Sequence, residues 1–155
     1  MLAEKRVRQW LYVTALAEMD SSPMSQELVC FAALRANFLE ILAQKYFAYS
    51  PQKHSEVSKL FLVGLFSLLE SMLHMPLQEI LVSVPLDAHV LEVLSEGTGP
   101  FAPWYQLMIA YEKANWALVK QLAAMLRLSS HDLASAYVEA GTWSLETFGI
   151  LPDNG

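Results

Sequence analysis

The sequence predicts an all-α protein, a compact bundle of about seven to eight helices in a single domain covering residues 1–155. Apolar residues recur at spacings of three and four along most of the chain, which is the period of an amphipathic helix. No stretch alternates apolar and polar residues, and no Asn-Gly or Asp-Gly turn separates two apolar runs. Hydrophobic residues make up 54% of the chain and charged residues 17%, so a large core can form without a disulfide or a metal.

Three long helices are expected in the first half of the chain. The first covers residues 2 to about 19. Ser22 followed by Pro23 is a typical N-cap and first-turn pair, and it begins a second helix that extends to about residue 49. The third follows Ser50-Pro51 and reaches about residue 74, just before Met75-Pro76.

Prolines and glycines divide the second half into shorter helices. A short helix is expected over 76–83, and the next begins at Leu86 or Asp87 and is closed by Gly97. Another runs through 104–114, where Asn115 is a candidate left-handed break before a helix that begins at Trp116. The last helix is capped by Ser129 or Ser130 and extends to 147 or 148.

Charge and composition exclude several classes of function. Ten basic against sixteen acidic residues give a formal charge of -6, which argues against nucleic acid and anionic membranes as partners. The basic cluster at Lys5, Arg6 and Arg8 is too small to change this. The uncharged run at 60–69 rises only about 15 Å as a helix, half of a bilayer core, so it indicates a buried helix.

Cysteine usage predicts a cytoplasmic protein. Cys30 is the single cysteine, so no internal disulfide can form, and the N-terminus has no signal-peptide pattern. Cys30 lies in an apolar stretch and is expected to be a core residue.

A basic residue interrupts the apolar stripe of the second helix. Arg35 takes the next place in the stripe formed by Leu28, Phe31, Phe38 and Leu42. A half-buried guanidinium needs an acidic partner. An alternative is that its stem packs while its head reaches solvent.

The third helix carries one polar stripe of Ser67, Glu70 and His74. A carboxylate on a central helix is costly unless it is paired. We therefore expect Arg35 to contact Glu70 or Glu40 inside the bundle, although Glu40 lies about 140° around the same helix. The stripe could instead face water.

Residues 131–132 spell His-Asp, the dipeptide that names the HD phosphohydrolases. The chain has only three other histidines, and Asp132 follows Ser129 in the first turn of a predicted helix, where its charge complements the helix dipole. A capping role is therefore favoured over a metal site. The sequence also lacks a Gly-rich phosphate loop, a zinc-type Cys pair and a GxSxG elbow, so we expect no catalytic residue, no metal and no cofactor.

Several segments, in order along the chain, resemble the C-terminal part of an HDOD domain, the HD-related output domain of bacterial signalling proteins. The resemblance is to the variant that follows an EAL domain in cyclic-di-GMP-type regulators. It implies an all-helical, HD-superfamily-like fold that binds and regulates other proteins rather than hydrolysing a substrate. The matching segments are RVRQWLYVTALA at 6–17, ALRANFLEILA at 33–43, FLVGLFSLLESMLHMPLQEIL at 61–81, VPLDAHVLEVL at 84–94, YEKANW at 111–116 and YVEAGTW at 137–143.

The resemblance also assigns residues. In HD enzymes a stretch similar to residues 62–66 continues into the metal-binding His-Asp, whereas this chain has Ser67-Leu68. A hydroxyl followed by leucine cannot replace an imidazole and a carboxylate as ligands. The resemblance implies that a polar network occupies the degenerate metal site, and its expected members are Arg35, Glu40, Ser67, Glu70 and His74. The rival class is a metal-dependent HD-type phosphohydrolase.

An HDOD domain would carry further helices before the segment at 6–17. The chain therefore resembles the C-terminal portion of such a domain, as a naturally short form or as a piece of a longer EAL plus HDOD protein. The apolar surface left uncovered predicts a homodimer, with its contact at Trp10, Leu11 and Val13, in addition to other signalling proteins as partners. Face-to-face packing of the first helices is favoured over exchange of that helix between protomers. Alternatively, the first helix folds back over its own core and leaves a monomer.

Overall fold

The computed structural model of the chain describes residues 23–68, 76–81 and 86–149, and the structural statements below concern these residues. They form seven α-helices and no strand, so the predicted all-α class is confirmed. The helices are α1 (Pro23–Tyr46), α2 (Lys53–Phe66), α3 (Leu77–Leu81), α4 (Ala88–Glu96), α5 (Ala102–Glu112), α6 (Trp116–Met125) and α7 (Ser130–Phe148).

Helix α1 is the centre of the bundle, with its most extensive contacts to α2 on one side and α7 on the other. Helix α7 runs antiparallel to α1. At one end of this pairing the Ser144 hydroxyl donates a hydrogen bond to the Cys30 carbonyl oxygen, and at the other end Lys45 Nζ lies 3.0 Å from Asp132 Oδ1. Ser144 is buried, and its hydrogen bond to Cys30 holds α7 against α1 at this point.

Helix α2 approaches α1 backbone to backbone at Gly64. A Cβ atom built at this position would lie 2.5 Å from the Arg35 carbonyl oxygen, which is closer than real Cβ atoms come to a backbone oxygen. The residue must therefore be glycine for the two helices to pack at this distance. This contact also fixes the position of Arg35 relative to the C-terminal end of α2.

Helix α5 packs against α1, and α6 packs against α5, and residues of both helices complete the main core. The Trp104 ring lies edge-on to Tyr46 and stacked against Phe47 at the end of α1. Large side chains from several helices are fully buried in this cluster, among them Phe38, Leu39, Leu42, Leu60, Leu107 and Met108.

Two predicted helix boundaries are confirmed by their capping bonds. Asp87 accepts a hydrogen bond from the His89 backbone N–H at 2.9 Å and begins α4, and Gly97 ends it in the left-handed conformation with φ of 71°. Of the two serines considered for the last helix, Ser129 is the N-cap.

Residues 129–132 form a reciprocal capping box. Asp132 N–H donates to Ser129 Oγ at 3.0 Å, and Ser129 N–H donates to Asp132 Oδ2 at 2.9 Å. The His-Asp dipeptide is thus placed at a helix start, and its carboxylate is used in capping.

Other boundaries differ from the prediction. Helix α1 ends at Tyr46 rather than near residue 49, because Tyr49 is fully exposed and gains no packing from a helical continuation. The left-handed residue between α5 and α6 is Ala114, with φ of 54°, rather than Asn115. Asn115 instead caps α6, since its side-chain oxygen accepts from the Leu118 N–H, and this leaves its neighbour to make the turn.

The described part of α2 ends at Phe66, with Ser67 as its C-cap. The Ser67 hydroxyl donates to the Gly64 carbonyl oxygen at 2.6 Å, a local bond that competes with helix continuation. The rest of the helix predicted to residue 74, and the whole helix predicted at 2–19, lie outside the described residues. No helix in the described ranges combines the length and apolar character that crossing a bilayer requires.

Candidate functional site

Arg35 on α1 forms a bidentate ion pair with Glu112 at the end of α5. Its Nε donates to Glu112 Oε1 at 2.7 Å and its Nη2 donates to Oε2 at 2.6 Å. The side chains are only 11% and 19% exposed, so this pair is largely removed from solvent. Two parallel charge-assisted bonds of this kind fix orientation as well as distance.

Ser67 accepts the third hydrogen bond of the Arg35 guanidinium. Arg35 Nη1 donates a hydrogen bond to Ser67 Oγ at 3.0 Å. The Ser67 hydroxyl in turn donates a hydrogen bond to the Gly64 carbonyl oxygen. Arg35 therefore links α1 to the end of α2 and to the end of α5. Each of its three guanidinium nitrogens makes a hydrogen bond.

Glu112 is the member of this site that the sequence did not reveal. It is 77 positions from Arg35 and lies on another helix, so no local spacing connects them. One signal was available: Glu112 is the last residue of α5, where a negative charge opposes the helix dipole. A carboxylate in that place indicates a cationic partner.

An aromatic cluster borders the ion pair. The Tyr111 and Tyr137 rings are 4.9 Å apart, and both contact Phe38 on α1, one turn from Arg35. Burial, followed by the nearby negative charge of Glu112, raises the pKa of the Tyr137 phenol. Tyr137 thus stays neutral at physiological pH and provides no base.

A shallow groove of about 540 Å³ runs beside the ion pair along the outer side of α5. Arg35 and Glu112 form part of it, and the remaining lining includes Tyr105, Gln106, Ile109 and Lys113. Arg35 and Glu112 line the groove as an ion pair. Neither side chain therefore offers an unpaired charge to a ligand.

The geometry makes the site a structural link between helices. Each oxygen of the Glu112 carboxylate accepts a hydrogen bond from the guanidinium, and this pairing joins α1 to the end of α5. Throughout residues 23–68, 76–81 and 86–149, no group of three or more His, Cys, Asp or Glu side chains is arranged to hold a metal ion. In this same part of the chain every buried side-chain nitrogen or oxygen has a hydrogen-bond partner.

Of the five residues expected in the network, the structure brings Arg35 and Ser67 together. Glu40 lies further along α1, where it accepts a hydrogen bond from Asn37 Nδ2 at 3.2 Å. Glu70 and His74 lie outside the described residues, and so do Trp10, Leu11 and Val13, the residues expected at a dimer contact.

Cys30 is half-buried on α1, and burial raises the pKa of its thiol. A protonated thiol is a weak nucleophile. The side chain is half-buried and does not belong to either buried core cluster, which corrects the expectation that Cys30 is a core residue.

The fold and the site together define an all-helical protein in which Arg35 on the central helix bonds to Glu112 at the end of α5 and to Ser67 at the end of α2. The chain is 30% identical over 131 residues to the cyclic di-GMP phosphodiesterase CdgJ of Vibrio cholerae, an alignment that covers 84% of this chain and 29% of that protein. It is 24% identical over 145 residues to the uncharacterized protein YuxH of Bacillus subtilis, covering 92% of this chain and 34% of that protein.

The chain thus spans about a third of the length of the curated relatives it matches. No family model matches the chain. No solved structure matches it either.

Proposed function

We propose that this chain is a non-catalytic regulatory module of the HDOD kind, which acts in bacterial signalling linked to cyclic di-GMP by binding other proteins in the cytoplasm. The observation that carries the proposal is the three-way bonding of Arg35 to Glu112 and Ser67. The relative named as a cyclic di-GMP phosphodiesterase supports the link to this signalling network.

Residues that do not suit a metal ion occupy the position that HD enzymes use for one, which speaks against hydrolysis. The resemblance aligns Ser67-Leu68 with their His-Asp, and the Ser67 hydroxyl lies 3.0 Å from a guanidinium nitrogen of Arg35. A divalent cation placed there would meet a fixed positive charge at close range in a low-dielectric surrounding. The side chain of Leu68 has no atom that could serve as a ligand.

The rival proposal is a metal-dependent phosphohydrolase, favoured by the word phosphodiesterase in the name of one relative. Purified protein should be analysed for transition metals and assayed on cyclic di-GMP and on a generic phosphodiester, with and without a chelator. We expect no stoichiometric metal and no turnover above a no-enzyme blank. Stoichiometric metal together with turnover that the chelator abolishes would overturn the regulatory proposal.

The signalling role needs a test in cells. Deleting the gene in its own bacterium should change the output of a cyclic-di-GMP-responsive reporter, and the wild-type chain should restore it. Complementation with Arg35→Met tests whether the ion pair is needed for that output, provided that the variant accumulates to the wild-type level. An unchanged reporter after deletion contradicts the proposed network.

As a partner we propose first a second copy of the chain, contacted through Trp10, Leu11 and Val13. Exposed apolar side chains on the described helices support self-association, since large apolar patches are rare on soluble monomers. Sedimentation velocity over a range of concentrations should show a species of twice the 17.4 kDa chain mass. A strictly monomeric protein at high micromolar concentration refutes the homodimer.

A further inference from the structure

Three large apolar side chains are exposed on α1 and α7, the two helices that pack antiparallel to each other. Phe31 on α1 is 51% exposed, and Val138 and Leu145 on α7 are 68% and 60% exposed. We call these three residues, with the backbone between them, the α1–α7 face. None of them is needed by the Arg35–Glu112 pair, so their exposure is not explained by the site described above.

The three side chains belong to one surface because of the helix register. Val138, Gly141 and Leu145 follow one another at spacings of three and four and so lie on one side of α7. A Cβ at Gly141 would lie 3.8 Å from Leu34 Cδ1 on α1, which places the middle of this stripe directly against α1. Phe31 is three positions before Leu34 and continues the surface along α1.

Acidic residues surround the face. Glu27 is exposed on α1 one turn before Phe31, and Glu139 and Glu146 are exposed on α7, each directly after an apolar member of the face. Two such faces brought together would oppose six carboxylates across an apolar contact. The surface therefore suits an apolar helix that carries positive charge.

The chain itself contains a segment with this chemistry. Lys5, Arg6 and Arg8 form its basic cluster, and the apolar stripe of the predicted first helix passes through Val7, Trp10 and Thr14. From Val7 to Thr14 is seven residues, as it is from Val138 to Leu145, so a first helix as predicted from the sequence would have an apolar stripe of the same rise, about 10 Å. The predicted stripe has the length of the α7 stripe, and its basic cluster is opposite in charge to the acidic residues around the face.

We propose that the α1–α7 face binds the basic segment at residues 5–14 of a second copy. This inference rests on the homodimer proposed above and names the surface that receives Trp10 and Leu11. In a twofold dimer the contact occurs twice, because each copy donates its segment to the other. The reciprocal arrangement buries both acidic-rimmed faces and avoids placing them against each other.

A chemical cross-link tests the placement. In a Cys30→Ser background, a full-length chain carrying Leu11→Cys is mixed with one carrying Val138→Cys, allowed to exchange subunits, and treated with a bismaleimide that spans about 10 Å, the usual distance between packed helices. We expect a covalent dimer in the mixture. The matched control replaces Val138→Cys by Lys120→Cys, an exposed position on α6, and should give at least tenfold less dimer.

Equal cross-linking to both positions, or none to Val138→Cys under conditions where the protein is dimeric, overturns the assignment. A chain carrying both Leu11→Cys and Val138→Cys that cross-links within itself and stays monomeric shows that the segment covers its own chain, and it overturns the assignment too.

Surface variants separate this inference from the homodimer itself. Glu139→Lys with Glu146→Lys alters only exposed positions on α7 and should weaken dimerisation about tenfold or more, because attraction to the basic cluster becomes repulsion. Glu79→Lys, exposed on α3, is the matched control and should leave the dimer unchanged. If the wild type is monomeric, the homodimer proposal fails, whereas a dimer insensitive to these α7 changes refutes only the α1–α7 face.

Discussion

The charges of Arg35 and Glu112 neutralise each other, and both side chains are largely buried. Removing either one leaves the other as an unpaired charge, which should destabilise the fold. Arg35→Met leaves a carboxylate without its cation, and Glu112→Gln leaves a guanidinium without its anion. Each should lower the free energy of unfolding by about 3 kcal/mol, measured by urea denaturation. The double variant should lose at least about 1 kcal/mol less than the sum of the two.

The control for this prediction is the Lys45–Asp132 pair, whose lysine is exposed. Lys45→Met should cost at most about 1 kcal/mol, since screened surface pairs contribute little. Near-zero effects of both Arg35→Met and Glu112→Gln would show that the buried pair does not hold the helices together.

Replacement by alanine should lower the stability at Gly64 and raise it at Gly141, although both glycines lie in helices. Gly64→Ala forces a Cβ against the Arg35 carbonyl oxygen and should destabilise the protein by about 2 kcal/mol or more. Gly141→Ala meets only Leu34 at ordinary contact distance and should stabilise α7 by about 0.5–1 kcal/mol. Thermal melts of both variants give the comparison, and a stabilising Gly64→Ala would contradict the close approach of α1 and α2.

At the level of single residues, the sequence indicated that Arg35 needs an acidic partner and could not say which one. Its partner is defined by the crossing of α1 and α5, and that crossing depends on packing between residues far apart in the chain. Ser67 was predicted as a member of the network, because it lies on the polar stripe of the predicted third helix and matches the small residue of the resembled pattern. The pairing of Arg35 with Glu70 or Glu40 remains a prediction that the described contacts do not test.

Among the helices, the start of α7 depends on the ionisation of one carboxylate. The Ser129 backbone N–H, followed by the Lys45 ammonium, lowers the pKa of Asp132 from 3.8 to about 2. The folded state keeps this carboxylate charged where the unfolded chain would take up a proton. Its stabilising effect is therefore complete above about pH 4 and is lost as the pH falls from there to about 2.

Asp132→Asn should reveal this dependence. At neutral pH the variant should melt below the wild type, and the difference should shrink as the pH is lowered through the interval between 3.8 and about 2. Melting temperatures followed by circular dichroism at half-unit steps measure the effect. A difference that is the same at pH 6 and pH 2.5 would show that the charge contributes nothing to the cap.

The sequence predicted the presence of the helices better than it predicted all of their boundaries. The starts of α4 and α7 were visible because Asp87 and Ser129 bond within their own first turns. Asn115 misled the prediction because asparagine suits both a left-handed turn and an N-cap, and the neighbouring Ala114 adopts the turn at a conformational cost. In the structure the Asn115 side chain caps α6, and the residue type alone does not distinguish this role from a left-handed turn.

The whole molecule combines a net charge of -6 with a basic cluster near its start, and this separation of charge should govern self-association. If the basic segment binds an acidic face, raising the salt concentration from about 0.05 M to about 0.5 M should weaken the dimer several-fold. Sedimentation equilibrium at both concentrations measures the dissociation constants. A dimer that tightens with salt would indicate a purely apolar contact.

The hydrogen bond between Ser144 and Cys30 joins residues 114 positions apart. During synthesis α1 therefore leaves the ribosome long before the helix that covers it has been made. Until α7 is translated, Leu34 and Phe38 lack their contacts with Gly141 and Tyr137 and stay exposed. Exposed apolar side chains of this kind are what chaperones bind on a nascent chain. Rare codons or pauses just before Ser129 would lengthen that interval and should lower the yield of folded protein without changing one amino acid.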